Sequence, residues 1–278
     1  MPPFFDPAYK NKELYIVLAH PDDEIIFTNS ILKKASKIII CFQDIPGEKD
    51  ISLGRYKSSL NYPLNNFIQL GLKQARFSGK IINWDNPKEI KYGIDGYLNR
   101  RDYERNFYDL FEKLSDLLKK DILVVTHNPW GEYGHPEHIQ VNRVISEIAE
   151  IKKFNYFVTG IASTCNQKYA FNQMHKLGDK YIIFETDLTL FKKIKDLYME
   201  NNCWTWFEFY DLPKNEIFFE QINKNKFINQ RMKKISQYPV YLINNGNNLS
   251  RNLLHILKIF MPLFLQKKLR KLKLRNDK

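Results

Sequence analysis

One imidazole and three carboxylates lie close together near the start of the chain, directly after a short apolar run. The run, Leu14–Leu18, has the residue types of a buried strand, and the segment 25–35 beyond the polar residues is amphipathic. The pattern predicts a strand, a turn and a helix. In an open parallel sheet, ligands bind at the C-terminal ends of the strands, so this turn lies where chemistry would be done. Its polar side chains are His20, Asp22, Asp23 and Glu24.

The spacing within this first turn suits a metal ion. If the turn runs into the first helical residues, His20 and Asp23 are three apart and can face one point, as ligands of zinc would. Asp22 lies between them and need not bind the metal. A carboxylate beside a metal-bound water can take its proton, because the metal lowers the pKa of that water. The alternative is an Asp-rich helix cap, with His20 packed in the turn.

A second turn of similar character follows another apolar run, 121–126. Residues 127–138 read HNPWGEYGHPEH, and apolar residues at helical spacing follow them, which again predicts strand, loop and helix. Pro136 suits a first helical turn, where its missing N–H is not needed. His135 and His138 would project near each other. One of them can complete a metal site of two His and one Asp with a position open for water, and the other can address a substrate.

Both motifs resemble those of a known enzyme family. AHPDDE at residues 19–24 and GEYGHPEH at residues 131–138, in this order with a helical region between them, are similar to the motifs of the LmbE-like or PIG-L-like N-deacetylases. These are zinc-dependent enzymes that remove acyl groups from N-acyl glucosamine-type substrates. The resemblance covers roughly the first 165 residues and is carried by both motifs. It implies a zinc ion held by His20, Asp23 and His138.

The resemblance also implies roles for the other polar groups. Asp22 would be the general base, and Tyr133 with a protonated His135 would stabilise the oxyanion. The metal would be zinc, with ferrous iron as the alternative in vivo. The enzyme would be an N-acetylglucosaminyl-type deacetylase, a hydrolase acting on linear amides.

Two departures from the family pattern concern the substrate. The family often has a Thr-Asp-Gly or Thr-Asn-Gly turn after its second strand, where this chain has CFQD, which ends in Asp44. The family also often has an Arg followed three residues later by Glu. In this chain the residue three positions after Arg55 is Ser58, so the Glu is missing. The candidate substrate-binding residues are Arg55, Asp44 and Trp130.

The composition agrees with one large domain or with one domain that carries an appendage. The chain has 278 residues, of which 44% are hydrophobic and 27% charged, so it can bury a full core and is not a disordered chain. Alternating strand and helix patterns predict an α/β fold: a Rossmann-like, mostly parallel sheet with helices on both faces. We expect a deacetylase domain over residues 1–250 and a basic amphipathic helical tail over residues 251–278.

Apolar patterns outside the two motifs predict the other elements. Strands are expected at 37–42, 156–162 and 180–185, and helices at 24–35, 55–72 with a break near Pro63, 101–119 and 188–199. Residues 43–54 are expected to form a loop at the edge of the sheet that carries the motifs. The aromatic run 201–210 predicts either a wall on which a sugar stacks or a piece of core or interface. His127 is expected behind the metal site.

Positive charge is concentrated in the tail. The formal net charge is +12, and residues 251–278 contain nine Lys or Arg against one Asp. Because leucines and aromatics interleave with these charges, the tail predicts a segment on an anionic membrane surface; the alternative is a helix packed on the body with a solvated basic face. No helix-turn-helix, zinc-finger or RNA-binding signature is present, so we expect no nucleic-acid partner.

Cysteine spacing and the start of the chain predict where the protein acts. The three cysteines are far apart and form neither a zinc-finger nor a disulfide pattern. No signal-peptide pattern is visible, and no apolar run reaches the roughly 20 residues that span a bilayer. We therefore expect a cytoplasmic protein, peripheral at the inner face of the membrane.

The resemblance to the LmbE-like or PIG-L-like family implies a hydrolase that removes an acetyl group from the nitrogen of an N-acetylated amino sugar. The expected carrier is a lipid-linked, polysaccharide-precursor or nucleotide-linked sugar. One alternative is an amidase acting on a non-sugar thiol conjugate or an antibiotic intermediate. Another is a non-catalytic, membrane-associated or sugar-binding protein that kept the metal fold, although an uncoordinated base at Asp22 argues against it.

Overall fold

Strand β1 (Leu14–Leu18) lies at the centre of the fold, and every one of its residues is buried. Tyr15 and Val17 face one hydrophobic cluster, whereas Ile16 and Leu18 face a second one. A strand that is buried on both faces needs a layer of helices on each side of its sheet. The computed structural model, which describes residues 9, 11–207, 210–222 and 241–243, has these two layers.

The described elements alternate between strands and helices along most of the chain. The strands are β1, β2 (Lys37–Asp44), β3 (Phe67–Lys73), β4 (Glu89–Ile90), β5 (Gly93–Ile94), β6 (Leu123–Thr126), β7 (Asn155–Thr159), β8 (Ile161–Ser163), β9 (Leu177–Glu185), β10 (Asn215–Gln221) and β11 (Tyr241–Ile243). The helices are α1 (Asp23–Phe27), α2 (Lys49–Leu60), α3 (Arg100–Leu117), α4 (Pro136–Lys152), α5 (Gln167–Gln173) and α6 (Leu188–Glu200). Single 3-10 segments follow α1 and α5, at Asn29–Lys34 and Met174–Lys176.

A seven-stranded sheet in the order β3-β2-β1-β6-β7-β10-β9 forms the middle layer. The five strands from β3 to β7 in this order are parallel, and β10 pairs antiparallel with both β7 and β9. Two small pairs, β4 with β5 and β8 with β11, lie outside this sheet. The strand order reverses between β1 and β6, and ligands bind at such a switch point in open parallel sheets. The predicted α/β class is confirmed.

Helices cover both faces of the sheet. Leu110 of α3 and Val144 of α4 belong to the cluster on one face. Ile26 of α1 and Ile194 of α6 belong to the cluster on the other. Among the described residues, none of the helices combines the length and the apolar composition needed to cross a bilayer.

Two predicted helices differ from the structure. The helix expected at 55–72 is wrong: α2 covers Lys49–Leu60, and Phe67–Lys73 is strand β3, paired with the buried strand β2. Helix α2 begins at Lys49, so it also occupies the second half of residues 43–54, which were expected to form a loop. The helix expected at 24–35 is interrupted after Phe27, and a 3-10 segment follows it. Strand β10 was not predicted. The tail 251–278 lies outside the described residues, so its helix and the domain boundary before it stay predictions.

Glu216 on β10 generates a pH-dependent contribution to stability. Its carboxylate is 3% exposed and accepts from the Asn29 N–H at 3.0 Å and from the Ser30 N–H and hydroxyl at 2.8 and 2.6 Å. Burial outweighs these bonds and raises the pKa of Glu216 from its usual 4.5 to about 7. The folded state therefore holds this proton more tightly than the unfolded chain, which favours folding at low pH.

We expect the favourable contribution of protonated Glu216 to be lost as the pH rises from 4.5 through 7. Over that window the unfolding free energy of the wild type should fall by up to about 3 kcal/mol relative to Glu216→Gln, which cannot ionise. Urea unfolding of both proteins at several pH values measures the difference. Parallel stability curves for the two proteins would contradict the assignment.

Candidate active site

The chain leaves β1 through a tight turn that its own polar groups support. Asp22 adopts φ 95°, a left-handed conformation that is strained for a residue with a side chain. Asp23 Oδ2 accepts from the N–H of His20 at 2.7 Å, and Glu24 Oε2 accepts from the N–H of Asp22 at 3.0 Å. Strained backbone held by such bonds is typical of functional turns. The turn thereby presents two carboxylates and an imidazole at the edge of the sheet.

The second turn leaves β6 and ends in helix α4. His135 caps this helix, since its Nδ1 accepts from the N–H of Glu137 at 3.3 Å, and Pro136 occupies the first turn as predicted. Gly131 has φ 68°, and a Cβ at this position would lie 2.6 Å from the His135 carbonyl oxygen. Only glycine fits there, so the loop can fold tightly back on the start of the helix.

Three atoms from the two turns converge. Nδ1 of His20, Oδ2 of Asp23 and Nε2 of His138 each lie 3.2 Å from the other two; we call them the ligand triangle. Ligand atoms about 2.0–2.2 Å from a tetrahedral zinc ion lie roughly 3.3 Å apart, so the spacing fits zinc. The three side chains are no more than 5% exposed. The structure thus brings together the residues that the two motifs predicted as ligands.

Two buried glutamates orient the imidazoles of the ligand triangle. Glu137 Oε2 lies 2.8 Å from His20 Nε2, and Glu132 Oε2 lies 2.8 Å from His138 Nδ1. Each carboxylate accepts a ring proton, so the other ring nitrogen turns its lone pair towards the triangle. The sequence analysis assigned neither glutamate, although both lie in the second motif. The signal that could have found them is the general pairing of metal-binding histidines with carboxylates.

The buried charges shift one another's pKa values. Burial opposes protonation of His20, but Asp23 and Glu137 outweigh it and raise the pKa of His20. Burial disfavours a charged Asp23, yet His138 and His20 lower the pKa of Asp23 well below its usual range. Burial likewise acts against a charged Glu132, and its neighbouring imidazoles lower its pKa to about 2. Asp23 and Glu132 are therefore held in the charged form that a cation requires.

Two further histidines border the ligand triangle. The described residues offer two other sets of three ligand groups, which are His20 with His135 and His138, and Asp23 with His127 and His138. His127 Nε2 accepts from the N–H of Ala19 at 2.9 Å, and its Nδ1 lies 3.0 Å from Glu132, so both ring nitrogens are used. Its ring stacks on His138 with 3.8 Å between centres. His127 therefore supports the triangle from behind and ties the two turns together.

His135 fits the role of a hydrogen-bond donor better than that of a ligand. Its ring centre lies 4.6 Å from that of His20 and 4.7 Å from that of His138. Because its Nδ1 accepts from Glu137, its ring proton stays on Nε2. Burial and the two neighbouring imidazoles lower the pKa of His135 well below its usual range. The direction of this shift favours a neutral ring with one N–H over the protonated ring that the family resemblance implies.

Tyr133 lies beside these histidines. Its ring centre is 5.3 Å from that of His138 and 5.8 Å from that of His135. The ring also packs against Trp206 and Phe27, with centres 4.9 and 6.4 Å away. Burial and the nearby carboxylates raise the pKa of Tyr133 well above its usual value, so its hydroxyl keeps its proton and can donate.

Asp22 lies next to the ligand triangle without belonging to it. Its Oδ2 accepts two hydrogen bonds from Thr205, from the N–H at 3.1 Å and from the hydroxyl at 2.5 Å. Burial and the charge of Asp23 raise the pKa of Asp22 to about 6, and Arg55 and Thr205 oppose that rise. A carboxylate that titrates near neutrality suits a general base. Nothing in the sequence pointed to Thr205, which is 183 residues away.

The three predicted substrate-binding residues have different environments. Arg55 is 2% exposed, its Nη1 donates to the Gln43 carbonyl at 3.4 Å, and its Nε has no partner among the described residues. Asp44 ends β2, and no hydrogen bond or ion pair between described residues joins its carboxylate to the ligand triangle. The prediction that Trp130 binds substrate is corrected. Trp130 is fully buried and its indole N–H donates to the Ile161 carbonyl at 2.8 Å, so the side chain packs in the core.

Comparisons with known proteins agree with both motifs. Residues 15–149 match the family model described as PIG-L, GlcNAc-PI de-N-acetylase. An uncharacterized protein of Acanthamoeba polyphaga mimivirus is 30% identical over 159 residues, which cover 54% of this chain and 63% of that protein. The 1D-myo-inositol 2-acetamido-2-deoxy-alpha-D-glucopyranoside deacetylase of Saccharomonospora viridis is 26% identical over 177 residues, 54% of this chain and 64% of that enzyme. The chain spans less than two thirds of the length of these relatives.

The fold also has a counterpart among solved structures. The zinc-inhibited form of a teicoplanin deacetylase aligns with 77% of this chain and 100% of its own, with a TM-score of 0.50 and 11% identity. At this identity the likeness concerns the fold alone.

The ligand triangle predicts which histidine the metal needs. We expect His138→Ala to weaken zinc binding by more than about 100-fold, because it removes one of three ligands, and His135→Ala to change it by less than about 10-fold. Competition with a chromogenic chelator measures both affinities. If instead His135→Ala abolished zinc binding and Asp23→Ala left it intact, the set of three histidines would hold the metal.

Proposed function

We propose that the chain is a PIG-L-like, metal-dependent hydrolase that removes an acetyl group from the nitrogen of an N-acetylated amino sugar. The match of residues 15–149 to the PIG-L family model supports this proposal. The observation that carries the proposal is the ligand triangle with the uncoordinated carboxylate of Asp22 beside it. A structural metal site has no use for such a base. The substrate class is supported by the named relative, a deacetylase of a 2-acetamido-2-deoxy-glucopyranoside.

His20, Asp23 and His138 would hold the metal. Two imidazoles and one carboxylate suit zinc, and the same donors suit ferrous iron as the alternative. When bound, the metal supplies a Lewis acid for the amide carbonyl and lowers the pKa of water. Glu132 and Glu137 keep the two imidazoles in the tautomer and orientation that binding requires.

Asp22 is the proton carrier of the proposed reaction. It accepts a proton from the water whose oxygen attacks the amide carbon, and it returns that proton to the nitrogen as the C–N bond breaks. The Nε2–H of His135 and the hydroxyl of Tyr133 donate to the oxyanion that develops on the carbonyl oxygen. The products are acetate and a free amino sugar. Arg55, with a buried Nε that no described residue accepts from, would contact a polar group of the substrate.

Replacing Asp22 tests the proposed base. We expect Asp22→Asn to retain zinc and to lose about 10²- to 10⁴-fold in turnover, because the amide cannot accept a proton. The measurement is acetate release by zinc-loaded protein from N-acetylglucosamine compounds that are free, nucleotide-linked and lipid-linked. Asp121→Asn is the matched control: the residue is exposed on the surface and has φ 59°, a conformation that asparagine adopts readily.

Turnover by Asp22→Asn at the wild-type rate with zinc bound would show that another group is the base. If the wild type released acetate from none of the compounds, the proposed reaction itself would be contradicted.

We further propose that the substrate is carried on a lipid or nucleotide at the inner face of a membrane, where the protein is peripheral. The support is the composition of residues 251–278, with nine basic residues among leucines and aromatics. We expect a chain truncated after Ser250 to lose flotation with vesicles containing phosphatidylglycerol. Equal flotation of the full and truncated chains would contradict a role of the tail in membrane binding.

A further inference from the structure

The segment 203–207, which follows helix α6, lies against the active site although it is outside the family-matched region 15–149. Cys203 anchors it: the residue is fully buried, its Sγ lies 3.3 Å from Ser58 Oγ on α2, and its N–H donates to the Tyr198 carbonyl at 2.9 Å. A Cβ on Gly54 would lie 2.1 Å from the carbonyl oxygen of Asn201, so α2 needs a glycine there to pack against the chain just before the segment. The segment is therefore fixed in place from both helices.

Thr205 places both of its donors on one oxygen of Asp22. Its N–H and its hydroxyl both donate to Oδ2, and no described residue donates to Oδ1. Thr205 itself is exposed, whereas Asp22 is 3% exposed, so these bonds form at the mouth of the site. Two bonds to one carboxylate oxygen fix the rotation of the group and leave the other oxygen for proton transfer.

Trp206 adds an aromatic face next to the base. Its ring packs edge to face on Phe27, with 6.0 Å between centres, and against Tyr133 at 4.9 Å. The indole Nε1 is buried, and no described residue accepts its proton. A buried donor without an acceptor is unfavourable unless a ligand or an ordered water supplies one. Phe207 and Tyr210 also contact the ring, with centres 5.2 and 5.7 Å away, and the side chain is only partly buried. A partly exposed aromatic ring with an unpaired N–H, next in sequence to the residue that binds Asp22, suits a substrate ring that carries hydroxyl groups.

We propose that the segment 203–207 completes the active site, with Thr205 as the positioning residue for Asp22 and Trp206 as the face that binds the pyranose ring of the substrate. The inference rests on the proposed function for the class of substrate. It assigns separate roles to adjacent residues: Thr205 acts on the chemical step, and Trp206 acts on binding.

The role of Thr205 is tested by removing its hydroxyl. Thr205→Val keeps the size and the N–H of the residue, and we expect it to lower kcat about 10-fold with KM within about 3-fold. Thr205→Ser keeps the hydroxyl and should restore kcat to within about 3-fold of the wild type. A kcat equal to that of the wild type in Thr205→Val, or the same loss in both variants, would overturn the positioning role.

The role of Trp206 is tested by binding, without turnover, in the Asp22→Asn protein loaded with zinc. We expect Trp206→Ala to weaken calorimetric binding of N-acetylglucosamine at least about 10-fold. Trp206→Phe, which keeps the ring and loses the N–H, should weaken it about 3-fold. If Trp206→Ala does not fold, the affinity of Trp206→Phe for N-acetylglucosamine, compared with that of the Asp22→Asn protein that keeps Trp206, still tests the binding role. Unchanged affinity in the folded variants would overturn the binding face.

The outcomes separate this inference from the proposed function. If the wild type released acetate, and if the Thr205 variants kept its kcat and the Trp206 variants kept their sugar affinity, the role of the segment would be refuted. The proposed reaction would still be supported. An inactive wild type whose Asp22→Asn form binds the sugar through Trp206 would refute the reaction and support the binding face. No acetate release and no sugar binding would refute both.

Discussion

The mutual approach of His20 Nδ1, Asp23 Oδ2 and His138 Nε2 is the constraint on which the rest of the structure depends. The first and last of these residues are 118 positions apart, and all three side chains are buried. The switch in strand order between β1 and β6 brings their two turns to one edge of the sheet. Buried charges are costly unless they are paired, so Glu132 and Glu137 back the imidazoles with carboxylates that are themselves hydrogen-bonded.

The first turn is further tied to parts of the chain beyond the family-matched region. Glu24 Oε1 accepts from the hydroxyls of Tyr62 and Tyr198 at 3.1 and 2.7 Å, while its other oxygen holds the strained backbone of Asp22. Tyr198 lies on α6, the helix that leads into the segment 203–207. Helix α6 thus supports the turn through Tyr198, and the segment that follows the helix places Thr205 within hydrogen-bond distance of the Asp22 carboxylate. The proposed base is held from two sides by residues far away in sequence.

The sequence predicted what depends on local spacing. His20, Asp23 and His138 could be predicted because their motifs each follow an apolar run, and two such runs in a βα pattern meet at one sheet edge. Thr205 could not, because its contact with Asp22 spans 183 residues and no motif surrounds it. Trp130 was misassigned since position in a motif does not reveal which way a side chain points. The helix expected at 55–72 failed because the apolar pattern of β3 also fits a helix until its pairing with β2 is known.

Anomalous diffraction at the zinc edge, from crystals of the zinc-loaded protein, tests the central claim most directly. The account predicts one strong peak within about 2.0–2.2 Å of His20 Nδ1, Asp23 Oδ2 and His138 Nε2, with Asp22 outside bonding distance. A peak bound by His135 in place of Asp23, or coordination of the metal by Asp22, would contradict the ligand triangle and leave the proposed base without its role.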